Sequence, residues 1–450
     1  MPDATPLRIR ALPAQPVLAL AVLALVLLVQ LPLVLNPGYF SHDELQWAAR
    51  AELPDGVAWL GFDAFQYRPL TFNLWLWLSR TLFETPQAFH FVVVALGALD
   101  AVLLAMVLRR FGASTAVAVV AALVFALGPY AAYVHGWVGT LGDLLWVGCA
   151  LSCAWLATRA RPAWIVAGVA LLLTVAALLA KEAALSMPAL AAVAAMLDAT
   201  RRRRWLAVLA GSAIPALAYV ALRHGALANV GPQDAAYAWQ LAHLPQRWLE
   251  YQLYPPNLPV FEVHNTLSRG FDARTGVAAL LWVALVAALA RAGWRWAAAF
   301  VLGGIVALGP VLVLGTAANQ YAYGFAALTA GVVALAWPRL PRWGRGVAWL
   351  LALLLVLHGL NVMRQVRKVG EVQAVFSPAL ATAVAEAAPD TVLRLAPAAD
   401  AAPWMFQRLA SDIPSYRGVA IGSRVRIVEP GAPADFVIEA EGKLSPVGAP

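Results

Sequence analysis

The chain has 450 residues, of which 62% are hydrophobic and 12% charged, with a formal net charge of +8. So apolar a chain of this length excludes a water-soluble globule and indicates a polytopic membrane protein. The positive charge is not a nucleic-acid footprint, because the arginines are spaced between apolar runs rather than gathered into a patch.

The first apolar run, Val17 to Leu35, contains Gln30 as its one strongly polar residue and is long enough to span a bilayer. Arg8 and Arg10 precede it, and Asn36-Pro37-Gly38-Tyr39 follows in place of a small-residue cleavage site, so an uncleaved first span is expected. Further spans are expected at about 89–108, 114–133, 142–158, 163–180, 183–198, 204–222, 275–291, 296–313, 320–337 and 346–361, which makes about eleven transmembrane helices. The segment 67–83 is also apolar. It reads as an interfacial helix, with Trp75 and Trp77 as membrane-surface anchors.

Arginines set the orientation. Arg109-Arg110, Arg159 and Arg161, Arg201 to Arg204, Arg291 and Arg295, and Arg339, Arg342 and Arg345 fall on every second connection, whereas 134–141 and 314–319 carry none. The positive-inside rule then places the N-terminus in the cytoplasm and leaves three long segments outside: 36–88, 223–274 and the tail. Residues 1–363 are expected to form the membrane domain and 364–450 a small periplasmic appendage. Apolar runs at 392–395, 419–421, 425–428 and 436–438 around a helix-like 402–412 suggest that this appendage is α/β. Cys149 and Cys153, one helical turn apart in a span, read as core packing.

Several outer residues have chemical potential. Asp43 and Glu44 form an acidic doublet just past the first span, where a carboxylate can serve as a general base or ligate a hard cation, or can simply cap a helix starting near Leu45. His42 reads as a neighbour of the doublet rather than a metal ligand. Lys181-Glu182 lies between two closely connected spans; the lysine suits a phosphate group, or snorkels as helix-end lysines do. Gly139-Thr140-Leu141-Gly142-Asp143 follows Tyr133, His135 and Trp137, and its acid either contacts substrate or complements the helix dipole. Arg68, in Tyr67-Arg68-Pro69-Leu70, can pair with the doublet or with an anionic substrate. Arg223, His224, His243 and Arg247 are placed in the long outer loop within reach of a lipid phosphate, Asp100 lies inside a span, and His358 is expected in packing. There is no phosphate-cradling glycine loop, nucleophile elbow or zinc spacing.

The acidic doublet, the Tyr-Arg-Pro-Leu stretch, Gly142-Asp143 and Ala180-Lys181-Glu182 occur in an order that resembles the GT-C superfamily of integral membrane glycosyltransferases. The similarity covers about residues 15–340, and is greatest to bacterial relatives of protein O-mannosyltransferases and aminoarabinose-lipid A transferases. That resemblance implies a GT-C-like all-α membrane fold in the bacterial inner membrane, with the active site and appendage in the periplasm. It implies a polyprenyl-phosphate-linked sugar donor, an envelope lipid, glycan or protein as acceptor, and inversion at the anomeric carbon. By the same resemblance Asp43 is the base, Glu44 supports it, Lys181 and Arg68 bind the donor phosphate, and Asp143, His135, Glu182 and Arg247 contact substrate. Family members differ in needing a divalent cation such as Mg or Mn. The sequence departs from the family in having its two acids adjacent and in carrying Gly142 where relatives often have a basic residue. A transporter or flippase for a lipid-linked sugar is the alternative. It places its functional charges at mid-membrane, whereas here they cluster at the outer interface.

Overall fold

The computed structural model describes residues 14–62, 64, 66–228, 239–268, 270–410 and 413–447; Arg8 and Arg10 lie outside them. The chain opens with α1 (Ala14–Val29), α2 (Leu31–Val34), α3 (His42–Ala51), α4 (Pro69–Leu82) and α5 (Pro86–Arg110). It continues through α6 (Thr115–Leu127), α7 (Pro129–Gly136), α8 (Leu141–Ala157), α9 (Ala163–Ala180), α10 (Met187–Leu197) and α11 (Arg202–Ala228). Then come α12 (Leu244–Leu253), α13 (Ala273–Ala292), α14 (Trp294–Leu308), α15 (Tyr323–Ala336) and α16 (Arg342–Glu386).

Among the described residues, eight helices are long and apolar enough to cross a bilayer. A ninth candidate is the pair α6–α7, bent by 58° where Gly128 meets Pro129. Two shorter apolar helices, Pro16–Val29 and Glu182–Leu197, complete the eleven positions read from the sequence. The protein is a multi-pass, all-α membrane protein with a small α/β appendage. Its two ends differ in chemistry. At one, Arg201 donates to the Arg110 carbonyl and lies over the Phe111 ring; at the other, the Thr71 hydroxyl donates 2.9 Å to the Ala180 carbonyl.

Three elements depart from expectation. The first span breaks at Gln30, whose amide donates 2.7 Å to the Ala126 carbonyl, and Pro32 starts a new short helix beyond it. α4 is too short to span, as an interfacial helix should be, but Trp75 is buried and stacked on Trp47, while Trp77 is exposed. Trp75 is therefore a core residue, not a surface anchor. Finally, Arg223 and His224 belong to the last turns of α11 and not to a loop.

α16 runs unbroken past residue 363 and carries the appendage at its far end. That domain contains β1 (Leu393–Pro397), α17 (Pro403–Ala410), β2 (Ser415–Tyr416), β3 (Val419–Ala420), β4 (Val425–Ile427), β5 (Phe436–Ile438) and β6 (Leu444–Pro446). The main sheet has the order β4-β1-β5-β6, with β1 parallel to both neighbours and β6 antiparallel to β5. Residues 411–412 of the expected helix lie outside the described set. β2 and β3 form a hairpin turning on Arg417 and Gly418, both at positive φ as a two-residue primed turn requires.

The segment leading to the acidic doublet is fastened to α16. The Tyr39 N–H donates 2.8 Å to Gln373 Oε1, the His90 ring meets the Gly38 carbonyl at 2.8 Å, and Tyr39 stacks on Phe83 at 4.7 Å. Backbone lies on backbone here: a Cβ at Gly38 would sit 2.5 Å from Gln373 Oε1 and against the Gly370 carbonyl. Gly38→Ala should therefore cost about 1–3 kcal/mol through overpacking. The expected readout is a lowered thermal midpoint of the purified protein in detergent; an unchanged midpoint would mean that this contact is loose.

Candidate active site

Ser41, in extended backbone, caps α3. Three residues on, Glu44 curls back and accepts 2.8 Å from the Ser41 N–H and 2.6 Å from the Phe40 N–H. Its other oxygen accepts 3.0 Å from the N–H of Val138, which opens the short 3₁₀ turn between α7 and α8. Burial pushes the Glu44 carboxyl up to about 7, against the opposing pull of these three N–H groups. The neighbouring acid has a different environment. Asp43 is about one-third exposed, and one of its oxygens lies 3.2 Å from His42 Nε2. Of the doublet, Glu44 is committed to backbone donors and Asp43 presents a carboxylate outward.

A second cluster forms where α4, α8, α9 and α11 end. Lys181 takes an extended conformation that stops α9, and its ammonium is buried against Asp143 in the first turn of α8. Gly142 permits this approach, since a Cβ there would lie 2.7 Å from the Ala180 carbonyl oxygen. A side chain at this position, such as the basic one carried by the family the sequence resembles, has no room. Arg68 Nε donates 2.7 Å to Glu182, whose other oxygen is 3.9 Å from Arg223. Arg223 also donates 2.8 Å to the Ala64 carbonyl and lies over the Tyr67 and Tyr219 rings. Lys181 sits over the Tyr321 ring at 5.2 Å. Burial works to lower the Arg68 guanidinium, and Glu182 beside it more than reverses that. Among the described residues, Lys181, Arg68 and Arg223 gather around Asp143 and Glu182 where water is scarce. An anionic group is the natural complement.

The two parts are neighbours. Asp43 lies one helical turn before Trp47, which stacks on Phe72 and Trp75 of α4, the helix that Arg68 caps. From the other side, Glu44 holds Val138, five residues before Asp143.

The structure brings Asp43, Glu44, Arg68, Asp143, Lys181, Glu182 and Arg223 to one end of the bundle, and adds Thr71 and Tyr321. It does not bring His135 or Arg247 there. His135 is fully buried between Gln30 (2.9 Å) and the Tyr323 hydroxyl (3.0 Å), which itself donates to Asp100. The ring thus satisfies an intramembrane polar chain. Arg247 is spent on Glu250 and on the Leu314 and Gly315 carbonyls, bracing α12 against the segment after α14. His358 accepts its expected packing role against the Pro255 and Val260 carbonyls. Among the described residues, no three His, Cys, Asp or Glu side chains gather as a metal site would. Arg408 and Glu262 also meet near the doublet, 146 residues apart in sequence and without a local motif.

No family model and no curated protein matches the sequence. Among solved structures, one similar chain is the archaeal oligosaccharyltransferase AglB from Archaeoglobus fulgidus, in complex with an inhibitory peptide and a dolichol-phosphate. It has a TM-score of 0.49 and 13% identity, with 93% of this chain and 65% of that chain covered. Another is the Archaeoglobus fulgidus oligosaccharyltransferase tethered through a disulfide to an acceptor peptide with the NVT sequon. It has a TM-score of 0.46 and 14% identity, with 93% and 64% covered. The chain thus spans just under two thirds of the length of each.

Two measurements test the site's electrostatics. Removing one member of the Lys181–Asp143 pair strands a buried charge, so Lys181→Met or Asp143→Leu alone should cost about 3–5 kcal/mol. The double variant should lose much less than the sum, and additive losses in a thermal-stability cycle would refute the coupling. The raised Glu44 carboxyl favours the protonated fold. Its contribution should therefore be present below the unfolded value of about 4.5 and be lost as pH climbs to about 7. Glu44→Gln cannot ionise, so it should flatten this decline when thermal midpoint is plotted against pH. Parallel curves for the two proteins would contradict the assignment.

Proposed function

We propose that this protein is a GT-C-type glycosyltransferase that moves a sugar from a polyprenyl-phosphate donor to an envelope acceptor: a lipid, a glycan or a protein. The observation that carries the reading is the juxtaposition of a partly exposed acid, Asp43, with a buried cluster of cations, Arg68, Lys181 and Arg223, at the same end of a membrane bundle. The arginine-rich opposite end supports placing this site on the periplasmic side of a bacterial inner membrane. The helix through residue 363 supports treating the membrane domain and the appendage beyond it as one connected unit.

In this reading the Asp43 carboxylate accepts the proton of an acceptor hydroxyl or amine. The freed electron pair attacks the anomeric carbon while the bond from that carbon to the phosphate oxygen breaks, and configuration inverts. Arg68 and Lys181 receive the charge that accumulates on the leaving polyprenyl phosphate, with Arg223 beside them. Glu182 and Asp143 hold these cations in place before the donor arrives. Glu44 keeps the helix start rigid, so that Asp43 has one position from which to act.

Loss of a general base should lower transfer by about 10²–10⁴-fold. The test compares wild type with Asp43→Asn in membranes from a deletion strain, following label from polyprenyl-phosphate sugars into envelope fractions at equal protein level. Transfer by the variant at the wild-type rate would remove Asp43 as the base. Transfer by neither protein, across a panel of donors that other strains use, would favour a carrier of lipid-linked sugar that performs no chemistry.

A further inference from the structure

The appendage does more than sit beside the outer face. From α17, Arg408 reaches across to the membrane domain and donates 2.9 Å to Glu262 of the second outer segment and 3.0 Å to the Tyr133 hydroxyl of α7. Its guanidinium lies 4.1 Å from the centre of the Phe40 ring and 5.8 Å from that of Trp137. Phe40 is fully buried, packs edge-on against Tyr133 and Phe261, and donates its backbone N–H to Glu44. One side chain therefore joins four segments far apart in the chain, and it does so three residues before Asp43.

The chemistry suits a fixed geometry. The two donor nitrogens of a planar guanidinium are spent on different partners, and its face is on an aromatic ring, so a guanidinium can satisfy all three contacts at once and an ammonium cannot. The side chain is largely buried, as is Glu262, so the pair is poorly screened.

We propose that Arg408 is a positioning residue through which the appendage sets the place of the acid-bearing loop; this rests on the reading of Asp43 as the base. Arg408 touches no reacting atom in this scheme. It holds Phe40, Phe40 and Ser41 hold Glu44, and the first turn of α3 presents Asp43 accordingly. None of these contacts touches Arg68 or Lys181 directly; the link to them runs onward through Glu44 to Val138, five residues before Asp143. Loss of Arg408 should therefore weaken catalysis and leave donor binding alone.

The test has two arms on the full-length protein. In the first, hydrogen–deuterium exchange follows Arg408→Ala and Glu262→Gln, the latter keeping side-chain shape should the alanine variant not fold. Faster exchange at residues 36–45, with exchange at 180–186 as in wild type, is the expected result. Unchanged exchange at 36–45, or equal deprotection of all outer segments, would overturn the proposal. In the second arm, transfer kinetics should show kcat down by about tenfold in Arg408→Ala with the KM for the lipid donor unmoved. Arg408→Lys should recover part of the loss, since it keeps the Glu262 pair but not the Tyr133 bond. A rise in KM with kcat unmoved would make Arg408 a donor contact and refute the role. Should Asp43→Asn prove fully active, the exchange arm still decides whether the appendage positions this loop.

Discussion

A carboxylate taken out of water must be met by donors, and Glu44 is met by three backbone N–H groups on two separate segments. Two of them belong to the turn that starts α3, and the third to the corner between α7 and α8. The first outer segment is thereby tied to the corner from which Asp143 and Lys181 are reached. Without that tie, the acid next to it would ride on a loop whose other fastening lies behind it, at Gly38 and Tyr39 on α16. The rest of the site inherits its geometry from this one buried side chain. Adjacent acids make physical sense here: one is structural, and the other is left partly exposed.

The cationic cluster obeys a complementary constraint. Lys181, Arg68 and Arg223 are all largely buried, and each has an anionic or carbonyl oxygen within reach. Such pairing is needed for cations to remain at a poorly solvated helix junction at all. Gly142 belongs to the same account, because α8 can begin against Lys181 only if no side chain intervenes.

Much of this was legible in the sequence, and for identifiable reasons. Hydropathy and the alternating arginines place the spans because the bilayer imposes length and sidedness on each segment independently. Asp43, Arg68, Asp143, Lys181 and Glu182 stand out because charge next to long apolar runs is costly. What stayed hidden depends on which segments meet. Gln30 looks like a stray polar residue of the first span and His135 like a substrate contact until Tyr323 and Asp100 are seen to complete their chain. Arg247 looks available for a phosphate until the Leu314 and Gly315 carbonyls are brought to it. Arg408 sits in a short amphipathic helix of an appendage with little sequence signal, and Glu262 lies 146 residues away. Trp75 could be taken for a membrane anchor because aromatic residues serve both in cores and at interfaces.

α16 is 45 residues long, which at the usual rise is about 67 Å, roughly twice the hydrocarbon thickness of a membrane. The contacts that fasten the acid-bearing segment, at Gly370 and Gln373, fall about 36–40 Å along it from Gly346, where its apolar run begins. The helix is therefore a ruler: its immersed part is set by where lipid ends, and the height of Asp43 above that level is set by counting residues. A thicker bilayer would draw the acid towards the headgroups and a thinner one would lift it clear, with no contact in the site altered. Bilayer composition thus becomes a determinant of where this carboxylate stands relative to the membrane surface.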